Sequence, residues 1–294
     1  MSGEDGLDKW AAWLLHRRDG GDPEQHQKAL EHLLPIRDRV LDHAKVAPGD
    51  TVLDVGAGDG LIAFAALDRV GADGHVVMSD VSFDLVAHAR SVAEELGVHE
   101  RMSFVEARAE DLTPVATQSV DVVTLRSVLI YVDDKASALR AFHRVLTPGG
   151  RVSIFEPINN YFLESPDEFW GFDARPVRDL VMKVWEYEGW VESAYGDDPM
   201  MNFTEKDLLQ DAEAAGFTES HVELLVDIQP GTWVVDWDRL LETSPNPNAH
   251  TAGEALRGAL TAEELVRFEE HIRPLVDAGR GLLRSAFAYV WATK

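Results

Sequence analysis

The sequence predicts an α/β protein with a doubly wound, seven-stranded, mostly parallel sheet that carries helical cap insertions. Three observations predict it. Between Thr51 and Pro157 short apolar runs alternate with helical stretches, the pattern of successive βαβ units. Those runs are almost continuously apolar, as parallel strands covered on both faces must be. Two more apolar runs, at 221–228 and 285–293, lie beyond a change in composition, so the sheet resumes after an interruption.

Residues 1–50 read as an N-terminal helical arm. Trp10, Trp13, Leu14 and Leu15 form a short apolar stripe, suited to core packing, to a homodimer through the arm, or to an arm laid over a ligand. Asp22 is placed to cap a helix over 22–46, with Pro23 in its first turn, Leu30, Leu33, Leu34, Val40, Leu41 and Ala44 at helical spacing, and Pro35 as a kink. Residues 51–157 form the core. TVLDVGA, HVVMSDV, MSFVEAR, SVDVVTLRS and GRVSIFEP read as five strands, with helices at 60–70, 82–96 and 134–146.

Residues 158–203 break the pattern. All eight tryptophans lie outside 51–155, and ten aromatic residues fall between Tyr161 and Phe203, Tyr195 among them, so a helical cap over the active end of the sheet is expected. From 204 to 294 the core continues. Thr204 starts a capped helix that Gly216 closes, followed by the strand HVELLVDI and the final strand SAFAYVWAT. An insertion at about 230–284 separates them and carries a helix whose capping box is Thr261 and Glu264.

Charge and composition exclude several functions. The 294 residues carry 52 acids against 27 Lys plus Arg, a net charge of −25, which opposes nucleic-acid backbones and anionic membranes. Residues 156–227 hold 18 acids and four bases, or −14 of that total, which favours neutral or cationic small-molecule partners. No cysteine is present, so thiolate metal sites, Cys nucleophiles and disulfides are ruled out. With no long apolar run and an acidic start, MSGEDGLDKW, a cytoplasmic location is expected.

Ligands on such sheets bind beyond the carboxyl ends of the strands, and the strongest motif is there. VLDVGAGDG places Asp54, Gly56, Ala57, Gly58 and Gly60 at a strand-to-helix junction, where glycines permit a tight turn and close backbone approach. Leu61 stands where a dinucleotide fingerprint needs its third glycine, and the GK[ST] ending of a P-loop is missing.

Over about residues 36–157 the chain resembles the class I S-adenosylmethionine-dependent methyltransferases, whose domain is Rossmann-like. The glycine turn resembles the family's first motif, Asp54 its acid for the methionine end of the cofactor, and Asp80 its acid for the ribose hydroxyls. Val81 and Ser82 would flank the adenine; Ala109 and Glu110, in RAEDL, resemble the adenine-edge motif; FHRVLTPGGRVSIFEP resembles the helix, turn and strand that follow. The resemblance implies S-adenosylmethionine as cofactor and methyl transfer to an O, N or C nucleophile. A non-methylating enzyme such as a cyclase, or a cofactor-binding scaffold, is the alternative on the same fold.

Departures narrow the chemistry. Arg108 replaces an acid common in the adenine motif, which leaves the base edge to Glu110 or Asp111. The fourth strand ends in LRSV rather than a base-methylation clamp, and Arg126 stands where a magnesium cage would begin, so no metal is expected. Arg126 is a candidate contact for the cofactor or an acceptor oxygen. Glu156, ending the fifth strand, is the first candidate base, its other reading being a helix-capping carboxylate or a partner of Arg126. Tyr131 and Asp133 come next, and His143 reads as structural. His16, Arg17 and Arg18 form a basic cluster that would reach the cofactor carboxylate if the arm folded over the site. Tyr161, Phe162, Phe169, Trp170 and Trp185 would either enclose an apolar or aromatic acceptor or serve as ordinary core.

Overall fold

The computed structural model describes residues 6–18, 23–162, 165–190, 197–231 and 236–294. The arm comprises α1 (Lys9–Ala12), a π-helical turn (Trp13–Arg17) and α2 (Pro23–His43). The predicted alternation follows: β1 (Thr51–Val55), α3 (Leu61–Val70), β2 (His75–Asp80), α4 (Phe83–Glu95), β3 (Met102–Glu106), β4 (Val120–Arg126), α5 (Lys135–Val145) and β5 (Leu146–Pro157). A hairpin of two-residue strands, β6 (Glu168–Phe169) and β7 (Phe172–Asp173), leads to α6 (Arg178–Glu188), α7 (Glu205–Ala215) and β8 (Glu219–Pro230). Then come α8 (Trp237–Glu242), α9 (Ala252–Ala259), α10 (Ala262–Asp277) and β9 (Leu282–Thr293).

Seven strands form one sheet in the order β3-β2-β1-β4-β5-β9-β8. The first five are parallel, and β9 runs antiparallel to both neighbours. One face is covered by α2, α3 and α4 through Leu41, Ala63, Ala66 and Ala89; the other by α5 and α7 through Leu139, Phe142, Leu208 and Ala212. Burial on both faces is why the strands read as continuous apolar runs.

Local chemistry sets the boundaries. Thr204 and Asp207 make a capping box on α7, and Gly216 closes it at φ +102°; Thr261 and Glu264 do the same for the start of α10. α2 continues through Pro35, so the expected kink is not a break; the ring removes one N–H from the helix ladder. Asp22 and Tyr195 lie outside the described residues. β5 begins four residues earlier than GRVSIFEP, because Leu146 already pairs with Val120 before a bulge.

Both insertions leave the same edge of the sheet. Pro157, the last residue of β5, lies opposite Phe287, and Pro230, the last of β8, lies opposite Leu282. The cap and the later insertion therefore meet, and they share a core: Phe169, Phe172, Leu180 and Val184 pack with Trp237, Leu256, Phe268 and Ile272. Of the two readings of the cap's aromatics, ordinary core packing describes all but Tyr161. Phe169 faces Phe268 edge-on at 5.0 Å, Trp170 and Trp185 pack on the same cluster, Phe162 packs on the sheet core, and Tyr161 is exposed.

Candidate functional site

The turn after β1 is built from backbone and two carboxylates. Gly56 and Gly58 have φ of +60° and +59°; a Cβ on Gly56 would stand 2.5 Å from Val128, and one on Gly58 2.8 Å from Leu14. Side chains are thus excluded both by torsion and by space. Asp80, at the end of β2, accepts from the Gly58 N–H through Oδ2 and the Ser82 N–H through Oδ1, each at 2.9 Å. It ties the glycine turn to the turn after β2, and burial pushes its carboxyl above the ordinary value.

Asp54 is 1% exposed. Its Oδ1 accepts from the Thr124 hydroxyl on β4 at 2.8 Å, while Oδ2 is buried without a hydrogen-bond partner among the described residues. Burial pushes its pKa up to about 7, with the Thr124 hydrogen bond and the nearby Ala63 N–H opposing. An acceptor oxygen left dry and unpaired is costly, and a cationic donor placed there would relieve it.

Asp54, Gly56, Ala57, Gly58, Asp80 and Ser82 therefore converge at the carboxyl ends of β1 and β2. Val81 lies exposed on the rim, and Ala109 is buried in the turn after β3. Arg108 engages Glu110 at 2.7 Å, so the residue that departs from the family pattern orients its neighbour's carboxylate.

At the end of β4 the chain turns through Ser127, whose φ is +55° and whose N–H donates to the Phe155 carbonyl at 2.8 Å. The next three N–H groups then point at Glu156. Its Oε1 accepts from Val128 and Leu129, both at 2.8 Å, and its Oε2 from Ile130 at 3.3 Å. Glu156 is fully buried, and burial pushes its pKa up to about 7 against those donors. Both oxygens hold backbone, so Glu156 positions the turn, as in the capping-carboxylate reading of this residue. Burial first, and the Glu156 charge second, raise the Tyr131 phenol above its ordinary value. Asp133 is exposed, and His143 packs edge-on to Phe217 at 5.3 Å.

The arm lies across this region. Asp8 accepts from the Ser82 hydroxyl at 2.6 Å and donates its N–H to Asp84 at 2.7 Å; Trp10 meets Tyr131 edge-on at 5.0 Å; Leu14 abuts Gly58. On the other side Lys9 reaches Asn248 at 2.7 Å, Trp13 donates to the Ser244 carbonyl at 3.1 Å, and Arg17 pairs with Glu254. The apolar stripe is thus used within its own chain, bridging the turns after β1 and β2 to the cap. His16 remains exposed. Arg126, half-buried, forms no hydrogen bond or ion pair among the described residues. Burial first, and the Arg18 charge second, lower its pKa to about 10. Sequence reasoning missed Thr124, Asp8, Ser127 and the reach of Leu14, because each acts through a neighbour distant in the chain.

Known proteins agree with this arrangement. Residues 47–169 match the methyltransferase domain family. Over 113 residues the chain is 39% identical to the ubiquinone/menaquinone biosynthesis C-methyltransferase UbiE of Xanthomonas oryzae pv. oryzae. That alignment covers 38% of this chain and 44% of the relative, so the match spans less than half of that protein's length. In fold, the chain is similar to phosphoethanolamine N-methyltransferase 2 of Haemonchus contortus, solved with phosphomonomethylethanolamine and S-adenosylhomocysteine, at a TM-score of 0.53, 16% identity, and coverage of 97% of this chain and 56% of that one. It is also similar to the cyclase SpnF, at a TM-score of 0.51, 20% identity, and coverage of 89% and 81%. Residues 47–169, which carry the glycine turn and its two acids, are thus similar to a methyltransferase domain, and the strand order agrees with that likeness.

Proposed function

We propose that this protein binds S-adenosylmethionine over the glycine turn and transfers its methyl group to a small-molecule acceptor, catalysing mainly by positioning. The observation that carries the reading is the buried Oδ2 of Asp54, which has no hydrogen bond among the described residues, beside a turn whose glycines leave little room for a Cβ. That oxygen suits the ammonium at the amino-acid end of the cofactor. Asp80 has spent one lone pair per oxygen on backbone and keeps others for the ribose hydroxyls. Val81, Ser82, Ala109 and Glu110 would border the adenine. When bound, the cofactor supplies a methyl group on a sulfonium, an electrophile that needs an aligned nucleophile in a dry site.

The chain's own residues supply alignment and dryness. Glu156 fixes the turn after β4, and the arm and cap shield the carboxyl edge of the sheet. Of the three candidate bases, Glu156 is engaged with backbone, Tyr131 holds its proton and Asp133 is exposed, which favours an acceptor that arrives as its own nucleophile. The C-methylation named for the UbiE relatives supports a carbon nucleophile. A cyclase on the same fold shows why fold alone does not choose the reaction.

Calorimetry with S-adenosylhomocysteine tests the cofactor reading. Wild-type protein should bind it, and Asp80→Ala should bind more weakly by about 1.5 to 3 kcal/mol, the worth of charged hydrogen bonds. Folded wild-type protein that fails to bind would sink the proposal. With carbon-labelled cofactor and a metabolite extract, the NMR shift of the transferred methyl reads whether carbon, nitrogen or oxygen received it.

A further inference from the structure

β8 is the longer of the two strands that edge the sheet. It runs for 12 residues, Glu219–Pro230, in unbroken antiparallel register with β9, and no described strand lies on its outer side. β3, at the opposite edge, has five residues. Edge strands are ordinarily kept from pairing with other chains by brevity, a bulge, a lysine or a proline. β8 has no bulge and no lysine, and its one proline is its last residue.

In an antiparallel ladder one residue turns both its N–H and its C=O toward the neighbouring strand, and the next turns both away. The Lys294 N–H donates to the Gly150 carbonyl at 2.9 Å and the Ile158 N–H to the Ala286 carbonyl at 2.8 Å, so even-numbered residues of β9 face β5 and odd-numbered ones face β8. By register, as in Glu223 with Tyr289, the odd-numbered residues of β8 are the ones that bond β9. Ser220, Val222, Leu224, Val226 and Ile228 therefore point their backbone groups outward; Pro230 shares their parity and lacks an outward N–H. On the side-chain row of these even positions Val222 and Leu224 pack on the sheet core, but Val226 is 37% and Ile228 59% exposed. On the odd row Glu219 lies 3.2 Å from His221, Glu223 pairs with Arg39 of α2, and Asp227 forms no hydrogen bond or ion pair among the described residues.

We propose that β8 pairs antiparallel with β8 of a second copy of this chain, about a two-fold axis at Leu224, so that one sheet runs through a homodimer. This register sets the outward residues against one another: Leu224 meets its own copy, Val222 meets the partner's Val226, and Ser220 meets the partner's Ile228. The two exposed apolar side chains are then covered. On the other face the same register sets His221, the one basic side chain of the strand, opposite the partner's Asp227, with Glu223 opposite the partner's Leu225 and Glu219 opposite the partner's Gln229. No acid faces an acid. Moving the axis to Glu223 would set that residue against its own copy and Glu219 against the partner's Asp227; moving it to Leu225 would set Glu223 against the partner's Asp227. The backbone and the charges thus select one register. The pairing does not depend on the cofactor reading.

Analytical ultracentrifugation of the full chain tests the pairing, in about 0.15 M salt so that the net charge of −25 on each copy is screened beyond about 8 Å. Wild-type protein sediments as a dimer at micromolar concentration. Val226→Pro removes one outward N–H while the bonds to β9 stay in place, and it shifts the protein to monomer. His221→Glu turns two symmetry-related pairs from attractive to repulsive and weakens the dimer by at least about fivefold, and adding Asp227→Lys to it restores wild-type association. An unchanged melting transition shows that each variant is folded; if Val226→Pro unfolds, the charge exchange alone decides. A wild-type chain that stays monomeric overturns the proposal. So does a dimer that Val226→Pro and His221→Glu leave intact, since it uses another surface, and so does a loss in His221→Glu that Asp227→Lys fails to restore.

Discussion

Asp54 and Glu156 are both dry carboxylates, but their surroundings set them to different tasks. Glu156 spends both oxygens on three backbone donors, whereas Asp54 keeps one oxygen unpaired. Each has a folded-state pKa of about 7, raised by burial from 4.5 and 3.8 respectively. A raised carboxyl holds its proton more tightly when folded, so its stabilising contribution is complete below the unfolded value and is lost as pH rises through the folded one. For Glu156 that window runs from about 4.5 to about 7, and the loss across it is on the order of 3 kcal/mol. Denaturant titrations should therefore show stability falling across this window less steeply in Glu156→Gln than in wild type; equal slopes would contradict the assignment. Asp54 should lose its proton when a ligand ammonium docks. Calorimetry of S-adenosylhomocysteine near pH 6, repeated in buffers of different ionisation enthalpy, should show proton release that Asp54→Asn removes.

Among the elements, the glycine turn and the arm depend on each other. Gly58→Ala adds a methyl 2.8 Å from Leu14 in a torsion that L residues resist. The arm should lift, and hydrogen exchange over residues 8–17 should quicken while β1 and β2 stay protected; an unchanged arm would show that Leu14 does not rest on the turn. This coupling was not legible in the sequence, where Leu14 is one apolar residue among several. Legible features were those whose local chemistry has few solutions. The D-x-G-x-G-x-G turn needs positive φ, buried parallel strands need apolar runs, and the boxes at Thr204 and Thr261 need an acid three residues on. Glu156 was ambiguous because a base and a backbone cap are the same residue at the same strand end. Only the left-handed turn at Ser127, which aims three N–H groups at it, tells them apart. The cap's aromatics were ambiguous for a related reason: helical spacing marks a buried face without saying what buries it.

In the whole molecule, the cap is one module made from two separated stretches, so its stability depends on segments joined only after folding. Phe268 lies at its centre, 1% exposed and in contact with Phe169 and Trp237. Phe268→Ala should cost about 3 to 5 kcal/mol within that core. Exchange in α6, α9 and α10 should rise while β1–β5 stay protected; uniform acceleration would mean that cap and sheet unfold together. The position of β9 has a further consequence, for the order of events during synthesis. A ribosome releases β1–β5 first and β9 last of all the strands, yet β9 fills the slot between β5 and β8. Until it emerges, two strand edges stay open to pairing with other chains, and the β5–β9 pairing that closes one of them is the most distant in sequence within the sheet. The β1–β5 half can therefore assemble early on the nascent chain while the sheet waits for its last strand, and a chain interrupted before Leu282 should fail by aggregation rather than by loss of its glycine turn.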